Sequence, residues 1–159
     1  MRVRAKNPAD QAWIEQALAE RWGSPQIVVH GRIFDASELP ALIAGQGEGL
    51  ATFALDEDGH SAEIITLDAF RPRCGVGTAL VKALVQILRE HGVMTLRVTT
   101  TNDNLDALRF YQRRGFSLSA VRPGAVDEAR KIKPSIPFIG DNGIPLRDEI
   151  ELVWVIGRF

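Results

Sequence analysis

The stretch from Ile64 to Leu80 constrains this chain more than any other. Ile64-Ile65-Thr66-Leu67 is an apolar run. Asp68-Ala69-Phe70-Arg71-Pro72-Arg73-Cys74 interrupts it, and Gly75-Val76-Gly77-Thr78-Ala79-Leu80 opens an amphipathic segment that continues to His91. That order spells a strand, a glycine-bearing turn and a helix start. The first amides of a helix have no partner inside it, and glycines clear side chains from their approach. Such a turn is therefore a ready anion site. A turn that merely reverses the chain would use the same residues, so the rest of the sequence has to separate the two.

Bulk properties remove several classes of function. The 159 residues suggest one domain spanning 1–159, with 45% hydrophobic and 25% charged residues as in ordinary soluble domains. With 19 Lys+Arg against 20 Asp+Glu the formal net charge is −1. Nothing global favours nucleic acid or an anionic membrane as partner. Cys74 is the one cysteine, so no disulfide framework or multi-cysteine metal site is expected. His30, His60 and His91 are dispersed without metal-ligand spacing. The N-terminus lacks an apolar signal core, and no run approaches the ~20 apolar residues of a membrane span. A cytoplasmic protein is the expectation.

Read in order, Met1 to Lys6 suits a short edge strand. Asn7-Pro8 then caps and opens a helix that Gly23-Ser24-Pro25 stops. Gln26 to Phe34, rich in β-branched residues, reads as one strand kinked at Gly31. Gly49–Leu55 and Ala62–Leu67, joined by Asp56-Glu57-Asp58-Gly59-His60, read as an antiparallel hairpin. After the helix from Gly75 come a strand at Met94–Thr100, a helix at Asn104–Arg114 ended by Gly115, and a strand from Phe116. Residues 122–147 hold Pro123, Pro134, Pro137 and Pro145, with a short helix predicted at Ala125–Ile132. A connection this long is uncommon unless it is functional. Glu149–Ile156 is a last strand. The result is an α+β fold, a mixed and mostly antiparallel twisted sheet flanked by helices.

Asn104, Ala107 and Tyr111 fall on one helical stripe, with Asn104 and Tyr111 roughly 10 Å apart along the axis. They suit the wall of a long, partly polar ligand. They equally suit a capping Asn, a packing Ala and a half-buried Tyr.

Taken together, the strand, glycine turn, helix, strand and then Asn104-x-x-Ala107-x-x-Phe110-Tyr111-x-x-x-Gly115-Phe116 resemble the GNAT superfamily of N-acetyltransferases. The likeness is best from Glu63 to Phe116, and the other elements follow in the order that fold expects. The family's phosphate motif, Arg/Gln-x-x-Gly-x-Gly/Ala, is met at Gly75-Val76-Gly77, but Pro72 stands where Arg or Gln is usual. Arg71 and Arg73 flank it. The resemblance implies acetyl-CoA as cofactor, held by Arg73 and the turn Cys74, Gly75, Val76, Gly77 and Thr78, and further along by Asn104, Ala107 and Tyr111. It implies acetyl transfer to a primary amine by direct attack, with a backbone N–H around Leu67, Asp68 or Ala69 serving the thioester oxygen. Tyr111 is then the acid for the leaving thiolate. Glu63, on the strand entering the site, is the first choice of base; Asp148, Glu149 or a water chain are rivals.

The 122–147 segment is expected to form a lid or acceptor wall. Arg130, Lys133, Arg147, Asp148 and Glu149 are its acceptor-binding candidates; a dimerisation arm is the other reading. Cys74 is taken as packing or incidental, since this chemistry needs no thiol nucleophile. The acceptor itself, a small-molecule or peptide amine, is not legible. A non-catalytic acyl-CoA sensor on the same fold is the alternative, while the missing Gly-Lys-Ser/Thr argues against a nucleoside triphosphate site.

Overall fold

The computed structural model describes residues 1–71 and 73–157. The expectation placed on Pro72 lies outside the described residues. Among the described residues seven strands form one mixed sheet: β1 (Val3–Ala5), β4 (Ala41–Ala44), β5 (Gly49–Leu55), β6 (Ser61–Ala69), β7 (Thr95–Thr101), β8 (Ser117–Arg122) and β9 (Glu149–Val155). Their order is β1-β4-β5-β6-β7-β9-β8. A separate two-stranded sheet holds β2 (Gln26–Val29) and β3 (Arg32–Asp35). Among the described residues the helices are α1 (Gln11–Trp22), α2 (Val76–Glu90), α3 (Leu105–Arg113) and α4 (Ala125–Ile132). The α+β class and the mixed sheet are those the sequence predicts.

The residues group into two compact units, each described by itself. The first comprises Met1–Ile27, Phe34–Leu96 and the C-terminal residues from Val155. Strand β1 is an edge, antiparallel to β4. Asn7 starts the first helical turn reciprocally: its side chain accepts from Ala9 N–H while the Asp10 carboxylate accepts from Asn7 N–H. Arg4 grips the same carboxylate with two hydrogen bonds, at 2.8 and 2.9 Å. That guanidinium and the Asn7 amide hold Asp10 well below the ordinary carboxylate range, at about 2.

Strands β4, β5 and β6 form an antiparallel meander with α2 lying across it. The inner stripe of α2, Leu80, Leu84 and Leu88, is buried. Gly49 permits the close approach of helix to sheet, because a Cβ there would strike the Val76 side chain. Between β5 and β6 the register slips: Thr52 pairs with Thr66, but Phe53 pairs with Ile64. Ile65 is the extra residue of a bulge. The bulge shifts alternation along β6, so Glu63, paired with Ala54, projects from the same face as Thr66 and Asp68. The Thr52 and Thr66 hydroxyls meet on that face at 2.6 Å.

The second unit comprises Val28–Ile33 and Arg97–Trp154. Strands β8 and β9 are antiparallel, with a bulge at Ser119. Tyr111, Phe116 and Trp154 stack edge to face, with centroids 5.2 and 5.4 Å apart. Helix α4 occupies Ala125–Ile132, as the sequence predicts. Residues 133–147 form a strap tied down by side chains. Arg130 donates to the carbonyls of Ile136, Pro137 and Leu146 and pairs with Asp127. Asp103 accepts from Asp141 N–H, and Asn102 bonds Pro145 O as well as the amides of Arg147 and Asp148. A Cβ on Gly140 would collide with the Asp103 carboxylate.

One element differs from expectation. Gln26 to Phe34 is a tight hairpin rather than a kinked strand. His30 and Gly31 take φ of +40° and +77°, the pair of positive values that a two-residue hairpin turn demands. Histidine tolerates that region better than β-branched residues do.

Candidate active site

In the first unit, β6 delivers the chain to the turn and α2 carries it away. Gly75 caps α2 with φ +74°, and among the described residues no heavy atom beyond its chain neighbours lies within 4 Å of where its Cβ would be. The approach to the helix start is thus open above it, and the amides of Val76, Gly77 and Thr78 belong to the first helical turn, which has no intrahelical acceptors for them. Arg73 is exposed and itself left-handed, at φ +63°. Cys74 is exposed, Val76 is buried into the sheet, and Gly77 and Thr78 are half-buried. Arg71 pairs with Glu48 at 3.3 Å, so of the two flanking arginines it is Arg71 that is held to the protein surface.

The strand end before the turn is braced from α1. Trp22 Nε1 donates to Asp68 at 2.8 Å, Arg21 donates to Ala69 O, and Arg21 also stacks over Phe70 at 5.0 Å. Burial raises the Asp68 carboxyl above its ordinary value, against the lowering effects of Trp22 and Arg21. Leu67 and Ala69 are half-buried, and Glu63 is only 2% exposed. A carboxylate that deep is costly without a partner or a task.

In the second unit, Asn104 caps α3, its Oδ1 accepting from Ala107 N–H at 3.0 Å. The side-chain NH2 of the amide keeps its donors. Ala107 is half-buried, and Tyr111 is 5% exposed between Phe110 and Phe116.

The acceptor candidates divide sharply. Arg130 is buried and spent on the strap's carbonyls, so it acts as a brace rather than an open ligand contact. Asp148 accepts from Gly124 N–H and so anchors the start of α4. Glu149, 4% exposed, accepts from Arg122 Nε at 3.0 Å and from the amide of His30. Its carboxylate is thus already paired with a guanidinium and a backbone amide. Arg147 is exposed, and burial lowers the Lys133 ammonium below its ordinary value. Sequence reasoning missed Arg122, which also reaches Thr99 and Glu151, and the hairpin tip at His30. The signal was available in His30-Gly31 between two β-branched runs.

Comparison with known proteins bears on this arrangement. A family model described as the acetyltransferase (GNAT) family matches residues 17–116. The chain belongs to the GNAT acetyltransferase family. It is similar to the uncharacterized protein YxbD of Bacillus subtilis (strain 168), 42% identical over 138 residues, covering 84% of this chain and 86% of that protein. YdhI of the same organism is 39% identical over 135 residues, covering 84% of each. A GNAT family acetyltransferase from Elizabethkingia anophelis, solved with acetyl-CoA bound, shares the fold at a TM-score of 0.67 and 17% identity over 97% of both chains. Membership implies acyl transfer from an acyl-CoA. Among the described residues no helix is long and apolar enough to cross a membrane.

Proposed function

We propose that this GNAT protein transfers an acetyl group from acetyl-CoA to a primary amine, acting in the cytoplasm. The observation that carries the reading is the opened start of α2. Gly75 is left-handed with clear space above it, and the exposed Arg73 stands beside it. Acetyl-CoA supplies a thioester-activated acetyl group. The chain's own residues do the rest. Arg73 and the amides from Cys74 to Thr78 hold the phosphates, as charge-assisted and dipole-assisted donors. A backbone N–H from Leu67 to Ala69 donates to the thioester oxygen; the brace from Trp22 and Arg21 fixes that strand end. Asn104, through its spare amide donors, and Ala107 line the rest of the cofactor.

Tyr111 supplies a proton to the departing sulfur. Because a thiol's ordinary value is ~8.5, this help is modest. Glu63, too deep to meet an acceptor broadly, takes the amine proton through a water. Lys133 and Arg147 contribute polar groups beside the acceptor.

The test is thiol release from acetyl-CoA over a panel of amines, with melting followed in parallel. Acetyl-CoA at a hundred times its dissociation constant should add about 2.7 kcal/mol to stability. Turnover that falls in Tyr111→Phe supports catalysis. A melting shift with no thiol release for any amine would leave a binding protein instead.

A further inference from the structure

The two end strands of the seven-stranded sheet are finished differently. Strand β1 is three residues long and carries Arg4, whose guanidinium is held by Asp10. A short, charged strand is one of the ways in which a sheet edge is kept from pairing with another chain. Strand β8 has six residues, Ser117-Leu118-Ser119-Ala120-Val121-Arg122, and carries no charge before the last of them. It also lacks the lysine and proline that commonly guard an edge. Ser117 to Val121 are all exposed, Leu118 keeping 58% and Val121 61% of its surface. Among the described residues, Ser117–Arg122 make no backbone–backbone hydrogen bond outside the ladder with β9. One row of N–H and C=O groups is left for a further strand.

The bulge in β8 sorts its side chains. Leu118 pairs with Leu152 and Val121 with Ile150, and residues two apart in β9 share a face. Leu118 and Val121 therefore share that face although they are three residues apart. Ser119, the extra residue, is tied back to β9: its hydroxyl donates toward Glu151, 3.1 Å from both the carbonyl and Oε2.

The strand is complementary to itself. A second β8 laid antiparallel, about a two-fold axis between Ser119 and Ala120, puts Leu118 opposite Val121 twice on one common face. The same register sets Ser117 opposite Arg122, so the strand's one charge does not meet its own copy. Arg122 is already engaged by Glu149 and Glu151. Pro123 follows directly and cannot donate to a ladder, and this register uses all six residues before it. An unrelated peptide would have to supply that match; a second copy of the chain carries it.

We infer that β8 is the contact of a symmetric dimer of this chain, formed by antiparallel pairing of two β8 strands in that register. Main-chain hydrogen bonds give the pairing its affinity, and the Leu118–Val121 contacts fix its register. The inference stands apart from the acyl-transfer reading.

The experiment is sedimentation velocity of the full chain from roughly 1 μM to 1 mM, the range in which a small interface dissociates. The parent should pass from monomer to dimer as concentration rises. Leu118→Lys combined with Val121→Lys sets like charges opposite each other and should raise the dissociation constant about tenfold or more. Leu118→Lys combined with Val121→Glu sets opposite charges across the same two pairs and should return it to within about threefold of the parent. Both positions are exposed, so the three proteins should melt alike. Amides of Ser117–Arg122 should also exchange more slowly at the high end of the range, a reading that needs no variant. A parent that stays monomeric throughout overturns the proposal, as does unchanged exchange in β8. So does a dimer that the double-lysine variant leaves intact. Loss of the dimer in both double variants overturns the register, and the proposal with it.

Discussion

The glycine turn at 70–78 and the strap at 133–147 are both irregular connections, and they are built on opposite principles. In the strap, side chains satisfy the backbone: Arg130 takes three carbonyls, Asp103 an amide, and Asn102 a carbonyl and two amides. At the turn the start of α2 is open: Gly75 is left-handed, nothing among the described residues beyond its chain neighbours lies within 4 Å of where its Cβ would be, and Arg73 and Cys74 are exposed. A connection whose polar groups are internally satisfied is a scaffold. One that leaves open space at a helix start has room for a ligand. The difference teaches where to look for binding energy and where to look for stability.

Arg130→Met breaks the comparison most severely. It strips three carbonyls of their donor at a buried position and should cost about 3 kcal/mol, read by chemical denaturation. Loss below 1 kcal/mol would mean that the strap does not depend on its side chains. Next are two glycines tested against each other. Gly140→Ala drives a Cβ into Asp103 and should cost about 2 kcal/mol. Gly75→Ala meets no atom and pays for its φ alone, about 1 kcal/mol. The reverse ranking would show the turn to be the more tightly packed region.

Arg73→Ala should leave stability within about 0.5 kcal/mol. It should weaken acetyl-CoA binding about tenfold by calorimetry, the worth of one hydrogen bond to a charged group. Equal affinity would assign the phosphates to the backbone alone. The smallest effect is a pH dependence at the strand end before the turn. Burial raises Asp68 in the folded state. Its contribution to stability is therefore complete below the unfolded value of ~3.9, and it is lost as pH rises through the folded value. Asp68→Asn keeps an oxygen for Trp22 and cannot ionise. Its melting temperature relative to the parent should become more favourable between pH 4 and 7. A flat difference across that window would mean the carboxylate is not destabilised by burial.

The turn was legible because its signal is local: an apolar run, glycines and an amphipathic helix follow one another within twenty residues or so. So was α4, whose ends at Ala125 and Ile132 are marked by Gly124 before it and Pro134 after it. What escaped depends on residues distant in sequence. Arg130 reads as a surface charge until its three carbonyls come from a strap that folds back on it. Glu149 reads as a free acid until Arg122 and the amide of His30 arrive from other elements. The bulge at Ile65, which puts Glu63 on the face of Thr66 and Asp68, exists only in the pairing of β5 with β6. Asn104 shows the middle case, since both of its readings were open and the structure makes it the cap of α3.

The contrast between an open helix start and a satisfied strap is tested most directly by amide hydrogen exchange with and without acetyl-CoA. The account predicts that amides from Gly75 to Thr78 gain protection on adding acetyl-CoA. It also predicts that Asp141, Arg147 and Asp148, already bonded to Asp103 and Asn102, are protected from the start and change little. Unchanged exchange at the turn, with acetyl-CoA bound, would contradict it.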